Sequence, residues 1–128
     1  MGILGIGHNG FVVGDLEKSI EFYRDILGFE VEREMDRPER KIVFLKICDG
    51  QSIELFSGGN EKAQKSESTI GFAHTCLIIE DMDKSMEELQ AKGVEITGVR
   101  RRDDGSGAFI VKDPDGNEFE MSQKALDA

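Results

Sequence analysis

Apolar positions follow two rhythms along the chain, and the pair of rhythms occurs twice. Residues 8–13 form an extended run in which Phe11 and Val13 oppose His8 and Val12. From Leu16 the spacing changes: Leu16, Ile20, Tyr23 and Leu27 recur at helical intervals and predict one buried stripe. Asp15 stands ahead of that stripe as an N-cap, because its carboxylate accepts from orphan amide donors. Gly28 follows it, where a left-handed residue closes a helix. Strands are then expected near 29–34, 41–48 and 51–56, the last two joined by Asp49-Gly50. The series repeats with a strand at 72–79, a cap at Asp81, a stripe of Met82, Met86 and Leu89, and a stop at Gly93. Strands near 94–100, 108–112 and 118–123 complete it, the last two joined by Asp113-Pro-Asp-Gly-Asn117.

The repetition is one of residues as well as of pattern. At an offset of 66 residues, His8, Asp15, Lys18, Ser19 and Glu21 fall on His74, Asp81, Lys84, Ser85 and Glu87. Further on, Asp49, Gly50 and Glu54 fall on Asp115, Gly116 and Glu120. The offset slips once, to 65, where Gly28-Phe29 meets Gly93-Val94, and then recovers. The chain is a duplicated module. The expected fold is α+β, a single domain over 1–128 built from two tandem βαβββ modules. Module one spans about 3–57 and module two about 72–124, with a linker rich in Gly, Ser, Glu and Lys at about 58–71.

Alternation then says where the polar strand residues point. In 51–56, Ile53 and Leu55 face one way, and Ser52, Glu54 and Phe56 the other. In 118–123, Phe119 and Met121 oppose Glu118, Glu120 and Ser122; in the strand before them, Thr75, Leu77 and Ile79 oppose His74, Cys76 and Ile78. Each helix must cover its module's apolar face, so each module sends one His and one Glu to the uncovered face. Glu54, flanked by Ile53 and Leu55, is a costly charge unless paired or bound to a metal. His8 and His74 are the only histidines in the chain. With Glu54 and Glu120 they make a set of two nitrogen and two oxygen donors. Such a set suits Zn²⁺, Ni²⁺, Co²⁺, Mn²⁺ or Fe²⁺ better than Ca²⁺ or Mg²⁺. The competing reading makes each His an ordinary strand residue and each Glu a solvated edge residue. It has to explain four such residues at one offset.

Charge narrows the partners. A formal net charge of −10 argues against nucleic acid and anionic membranes. No apolar run approaches the roughly 20 residues of a membrane span, and no secretory signal is expected at the N-terminus. Cys48 and Cys76 lie 28 residues apart without a CxxC and are read as reduced, cytoplasmic core thiols. Six of the seven arginines fall in two groups, Arg33, Arg37 and Arg40, then Arg100, Arg101 and Arg102. These clusters fit an anionic ligand, and they fit two solvated hairpins equally well.

The segment from Asp15 to Phe29, DLEKSIEFYRDILGF, resembles the first helix of the vicinal oxygen chelate superfamily. The segment from Ala108 to Glu120, AFIVKDPDGNEFE, is similar to its closing hairpin, and the likeness runs from Ile6 to Gln123. Within the superfamily the chain looks most like the glyoxalase I group. The resemblance implies paired modules curled into a cupped, partly open mixed barrel around one divalent metal, held by His8, Glu54, His74 and Glu120. It also implies a lyase or isomerase acting on the hemithioacetal of a 2-oxoaldehyde, or a related substrate with vicinal oxygens, through an enediolate. Glu120 would be the base, and Glu54 a ligand and possible second base. Apart from the resemblance, Phe56, Arg100, Arg101 and Arg102 are the candidate substrate contacts. Short chains of this group usually exchange modules in a homodimer. Three positions depart from the group's thiol anchors, which are matched here by Val12, Gly58 and Gly105. The alternatives are another metal enzyme on this scaffold (an epimerase, thiol transferase or dioxygenase) and a protein that binds a small molecule without turnover.

Overall fold

A computed structural model describes residues 1–62 and 65–124. Residues 63–64 of the expected linker and 125–128 at the end of the expected domain lie outside the described residues. Contacts divide the chain into two units, Met1–Gln64 and Lys65–Ala128. Both are α+β and have the βαβββ order.

In unit 1, β1 (His8–Val12) is followed by helix α1 (Leu16–Ile20), which runs on as a π-helical stretch over Glu21–Ile26. Strands β2 (Glu30–Asp36), β3 (Lys41–Cys48) and β4 (Gln51–Phe56) complete it. The sheet order is β1-β4-β3-β2, with β1 parallel to β4 and the other pairs antiparallel. Asp15 caps the helix as expected, accepting from the Lys18 amide at 3.2 Å. The expected stripe is buried at Ile20 and Tyr23 and half-buried at Leu16 and Leu27. Tyr23 is fully enclosed, stacked with Phe29 and met edge-on by Phe22. Beneath them lie Val43 and Leu45 of β3 and Ile53 and Leu55 of β4, all fully buried.

Unit 2 repeats the plan with β5 (His74–Ile78), α2 (Met82–Ala91), β6 (Thr97–Arg101), β7 (Gly107–Lys112) and β8 (Glu118–Gln123). Its order is β5-β8-β7-β6, again with one parallel pair. Asp81 accepts from the Lys84 amide at 3.0 Å, and Met82 and Leu89 point into a core of Phe109, Val111 and Phe119.

The structure departs from the sequence pattern at three places. The first helix is not α-helical to its end: Leu27 donates to Phe22 O, five residues back, so the turn holds one residue more than its copy. That extra residue is why the repeat offset slips at Gly28 and Gly93, whose φ values of 81° and 80° close the two helices alike. Second, β6 begins at Thr97, not 94, because Val94 donates to Leu89 O and so belongs to the helix exit. Third, Cys48 and Cys76 are free but exposed, not core thiols. Cys48 ends β3 at the hairpin turn, and Cys76 lies on the uncovered side of β5.

Gly107 is where β7 passes closest to β6. A Cβ there would stand 1.9 Å from Arg100 O, a backbone atom that cannot swing aside. Gly107→Ala is therefore expected to split the β6–β7 pairing and destabilise the protein by about 1–3 kcal/mol or more, read as a lowered thermal midpoint. An unchanged midpoint would show that the strands separate without cost.

Candidate metal and substrate site

The parallel strand of each unit delivers the histidine, and the neighbouring hairpin strand delivers the glutamate. In unit 1, Gly10 is the register partner of Glu54, so His8, two residues earlier, shares that face. His8 Nε2 lies 2.6 Å from Glu54 Oε2. In unit 2, Cys76 is the partner of Glu120, and His74 Nε2 lies 3.5 Å from Glu120 Oε2. Both carboxylates are largely enclosed, at 15% and 23% side-chain exposure, whereas the imidazoles remain 48% and 44% exposed. In each unit a nitrogen and an oxygen donor therefore turn towards one another, with the ring still open to solvent. Such a pair offers one nitrogen and one oxygen donor of the kinds that borderline divalent cations accept, and among the described residues no group of three or more His, Cys, Asp or Glu comes together.

The surroundings of the two glutamates differ. Glu54 faces Phe44, its register partner on β3, and the Phe44 ring meets His8 edge-on at 6.5 Å between centroids. Glu120 has polar company: Arg100 Nη2 stands 3.3 Å from Oε2, and Cys76 Sγ lies 4.0 Å from Oε1. Burial, and then the Glu120 charge, push the Cys76 thiol above its ordinary range, against a smaller opposing pull from Arg100 and Lys124.

The three consecutive arginines point in different directions. Arg100 reaches Glu120. Arg101 pairs with Asp83 in the first turn of α2, and Arg102 donates to Ser106 Oγ and Gln123 O at 3.2 Å. Of the other cluster, Arg33 lies over Phe44 and Arg40 over Phe56. Phe56 shares its face with Glu54, as alternation along β4 requires. Phe44 carries no signal of a role in the sequence; the β3–β4 register is what places it beside Glu54.

Two units of identical topology, each presenting a His–Glu pair on its uncovered face, define a duplicated βαβββ protein of the vicinal oxygen chelate type. Residues 5–121 match the Glyoxalase/Bleomycin resistance protein/Dioxygenase superfamily, and the chain belongs to that family. It is 33% identical over 119 residues to a lactoylglutathione lyase of Haemophilus influenzae, covering 89% of this chain and 88% of that one. It is 35% identical over 124 residues to a lactoylglutathione lyase of Arabidopsis thaliana, covering 91% of this chain but only 43% of the plant protein's length. A glyoxalase family protein from Enterococcus faecalis has the same fold, with a TM-score of 0.82 at 28% identity, covering 95% of this chain and 99% of that one. Among the described residues, no helix is long and apolar enough to cross a membrane.

Proposed function

We propose that the chain is a metal-dependent lyase or isomerase of the glyoxalase I type. Its substrate would be the hemithioacetal of a 2-oxoaldehyde and a thiol, or a related molecule with two vicinal oxygens. The observation that carries this reading is the repetition, at one offset, of a His–Glu pair on the same face of both sheets. Likeness to lactoylglutathione lyases from a bacterium and a plant supports it.

His8 and His74 would hold the metal as neutral donors, and Glu54 and Glu120 as anionic ones; nickel, cobalt or zinc suits that set best, with manganese or iron next. When bound, a divalent ion supplies a Lewis acid that polarises two adjacent oxygens. Glu120 would take the proton from the carbon that bears the hydroxyl and the sulfur and return it to the adjacent carbon, the former ketone carbon. Arg100, ion-paired with one oxygen of Glu120, would fix the direction in which that carboxylate is presented. The apolar Phe44 and Phe56 keep water from the Glu54 side. The product is a thioester of a 2-hydroxy acid. Val12, exposed on β1, offers no charge where the resemblance implies an arginine for glutathione, which favours a different thiol.

A homodimer that shares each site between chains completes the proposal. Ile3, Leu4 and Ile6 ahead of β1, and Ile70, Phe72 and Ile78 at and ahead of β5, are large apolar side chains left exposed. Apolar surface left open on each unit favours a partner. A reducing, cytoplasmic setting suits two unpaired thiols.

Purified without a tag, the protein is expected to carry about one divalent metal per chain, at metal–nitrogen distances of about 2.0–2.1 Å. Methylglyoxal offered with a panel of thiols should give turnover that a chelator removes and added metal restores. Absence of metal, or turnover indifferent to chelation, would overturn the proposal.

A further inference from the structure

Glu54 has aromatic neighbours on two sides. Phe44 is its partner across the β3–β4 pairing, and Phe56 follows it by two residues on β4. Each ring carries a guanidinium. Arg33, the register partner of Phe44 on β2, places Cζ 5.3 Å from the centre of the Phe44 ring. Arg40, from the turn between β2 and β3, places its Cζ 5.6 Å from the centre of the Phe56 ring. Gly10 makes room for the second stack, because a Cβ there would stand 3.0 Å from Phe56 Cε2. Among the described residues, unit 2 has no arginine over a ring. Ile110 and Ser122 occupy the positions of Phe44 and Phe56, and the nearby Arg100 is engaged by Glu120.

A guanidinium held over a ring by its charge keeps N–H donors that the ring face does not use up. The contact also restricts the side chain beforehand, so less freedom is lost when an anion arrives. The chain has 26 acidic residues against 16 Lys and Arg, and Arg24, Arg100 and Arg101 each have a carboxylate partner. Among the described residues, Arg33 and Arg40 have none. Arg33 donates instead to Met35 Sδ, a weak acceptor that an anion would readily displace.

We propose that Arg33 and Arg40, seated on Phe44 and Phe56, form a clamp for a carboxylate carried by the substrate. They would select molecules that have an acid group in addition to the vicinal oxygens. The inference rests on the reading of His8 and Glu54 as part of the reacting centre and names the substrate class of that centre. A carboxylate is favoured over a phosphate because the −10 charge of the chain opposes a dianion more strongly.

Two probes that present vicinal oxygens test it: benzohydroxamate and 4-carboxybenzohydroxamate, titrated calorimetrically into the metal-loaded protein. The carboxylated probe should bind about tenfold tighter or better, as a bidentate charged contact implies. In the double variant Arg33→Gln/Arg40→Gln that ratio should fall to about one, with the neutral probe and the thermal midpoint unchanged, because both arginines are exposed. Equal binding of the two probes by the native chain, or a preference that survives in the double variant, overturns the clamp. If neither hydroxamate binds, the metal reading has failed on its own. The clamp is then read by titrating terephthalate into metal-free native and double-variant protein, where equal signals from the two overturn it.

Discussion

Glu120→Gln is expected to lose about 10²–10⁴ of its rate of substrate C–H proton exchange while keeping most of its metal. An amide retains the shape and one oxygen donor of the side chain, so contacts with Arg100 and His74 can persist. It is not a base at neutral pH. The choice of Glu120 over Glu54 draws on a difference between the two carboxylates: Glu120 is addressed on one oxygen by both His74 and Arg100, while Glu54, among the described residues, is paired only with His8. A carboxylate steered by a guanidinium is the better candidate for a group that must aim at a carbon. Proton exchange is measured by loss of deuterium from labelled substrate, alongside metal content. Full exchange in Glu120→Gln together with an inactive Glu54→Gln would reverse the two roles.

Mixing two inactive variants should restore activity. In the proposed homodimer, each site takes His8 and Glu54 from one chain and His74 and Glu120 from the other. A His8→Ala chain paired with a His74→Ala chain then holds one undamaged site and one with both lesions. Random exchange makes half of the dimers mixed, so about a quarter of native activity should return. The control is demonstrated subunit exchange, for instance by mass difference. Activity that stays at zero after exchange would place each site within one chain, and a monomer with full metal content would remove the dimer altogether.

Most of the fold was legible because two independent signals agreed in each unit. Asp15 and Asp81 mark helix starts by capping chemistry, and the stripes that follow mark the same helices by burial. The strands 41–48, 51–56 and 118–123 could be bounded because Asp-Gly turns or an alternating core pinned them. What could not be read was local. The π-helical turn left a trace only as a slipped offset, since one inserted residue alters hydrogen bonding without altering composition. The late start of β6 depends on Val94 reaching back to Leu89, a contact that no period reveals. At the candidate site, alternation was enough to put each His on the same face as its Glu, while the parallel pairing that makes them neighbours came only with the structure. Alternation could not foretell that Arg100, Arg101 and Arg102 would separate, because side-chain direction around a register shift between Thr97 and Arg100 is set in three dimensions.

The shared topology has a consequence for how the chain is made. Each sheet is closed by a parallel pair, β1 with β4 and β5 with β8, whose register partners lie 44 residues apart in both units. The hairpins between them need only local turns, so the long loop closures are the slow steps. Because the two sheets share one register, β8 presents β1 with a competing edge of similar pattern until β5 pairs with it. During synthesis that competitor does not yet exist when β4 emerges, and unit 1 can close on its own strands. Denatured full-length chain has no such order imposed on it. Direction of synthesis therefore acts as a proofreading step for a duplicated fold, one that refolding in a test tube lacks.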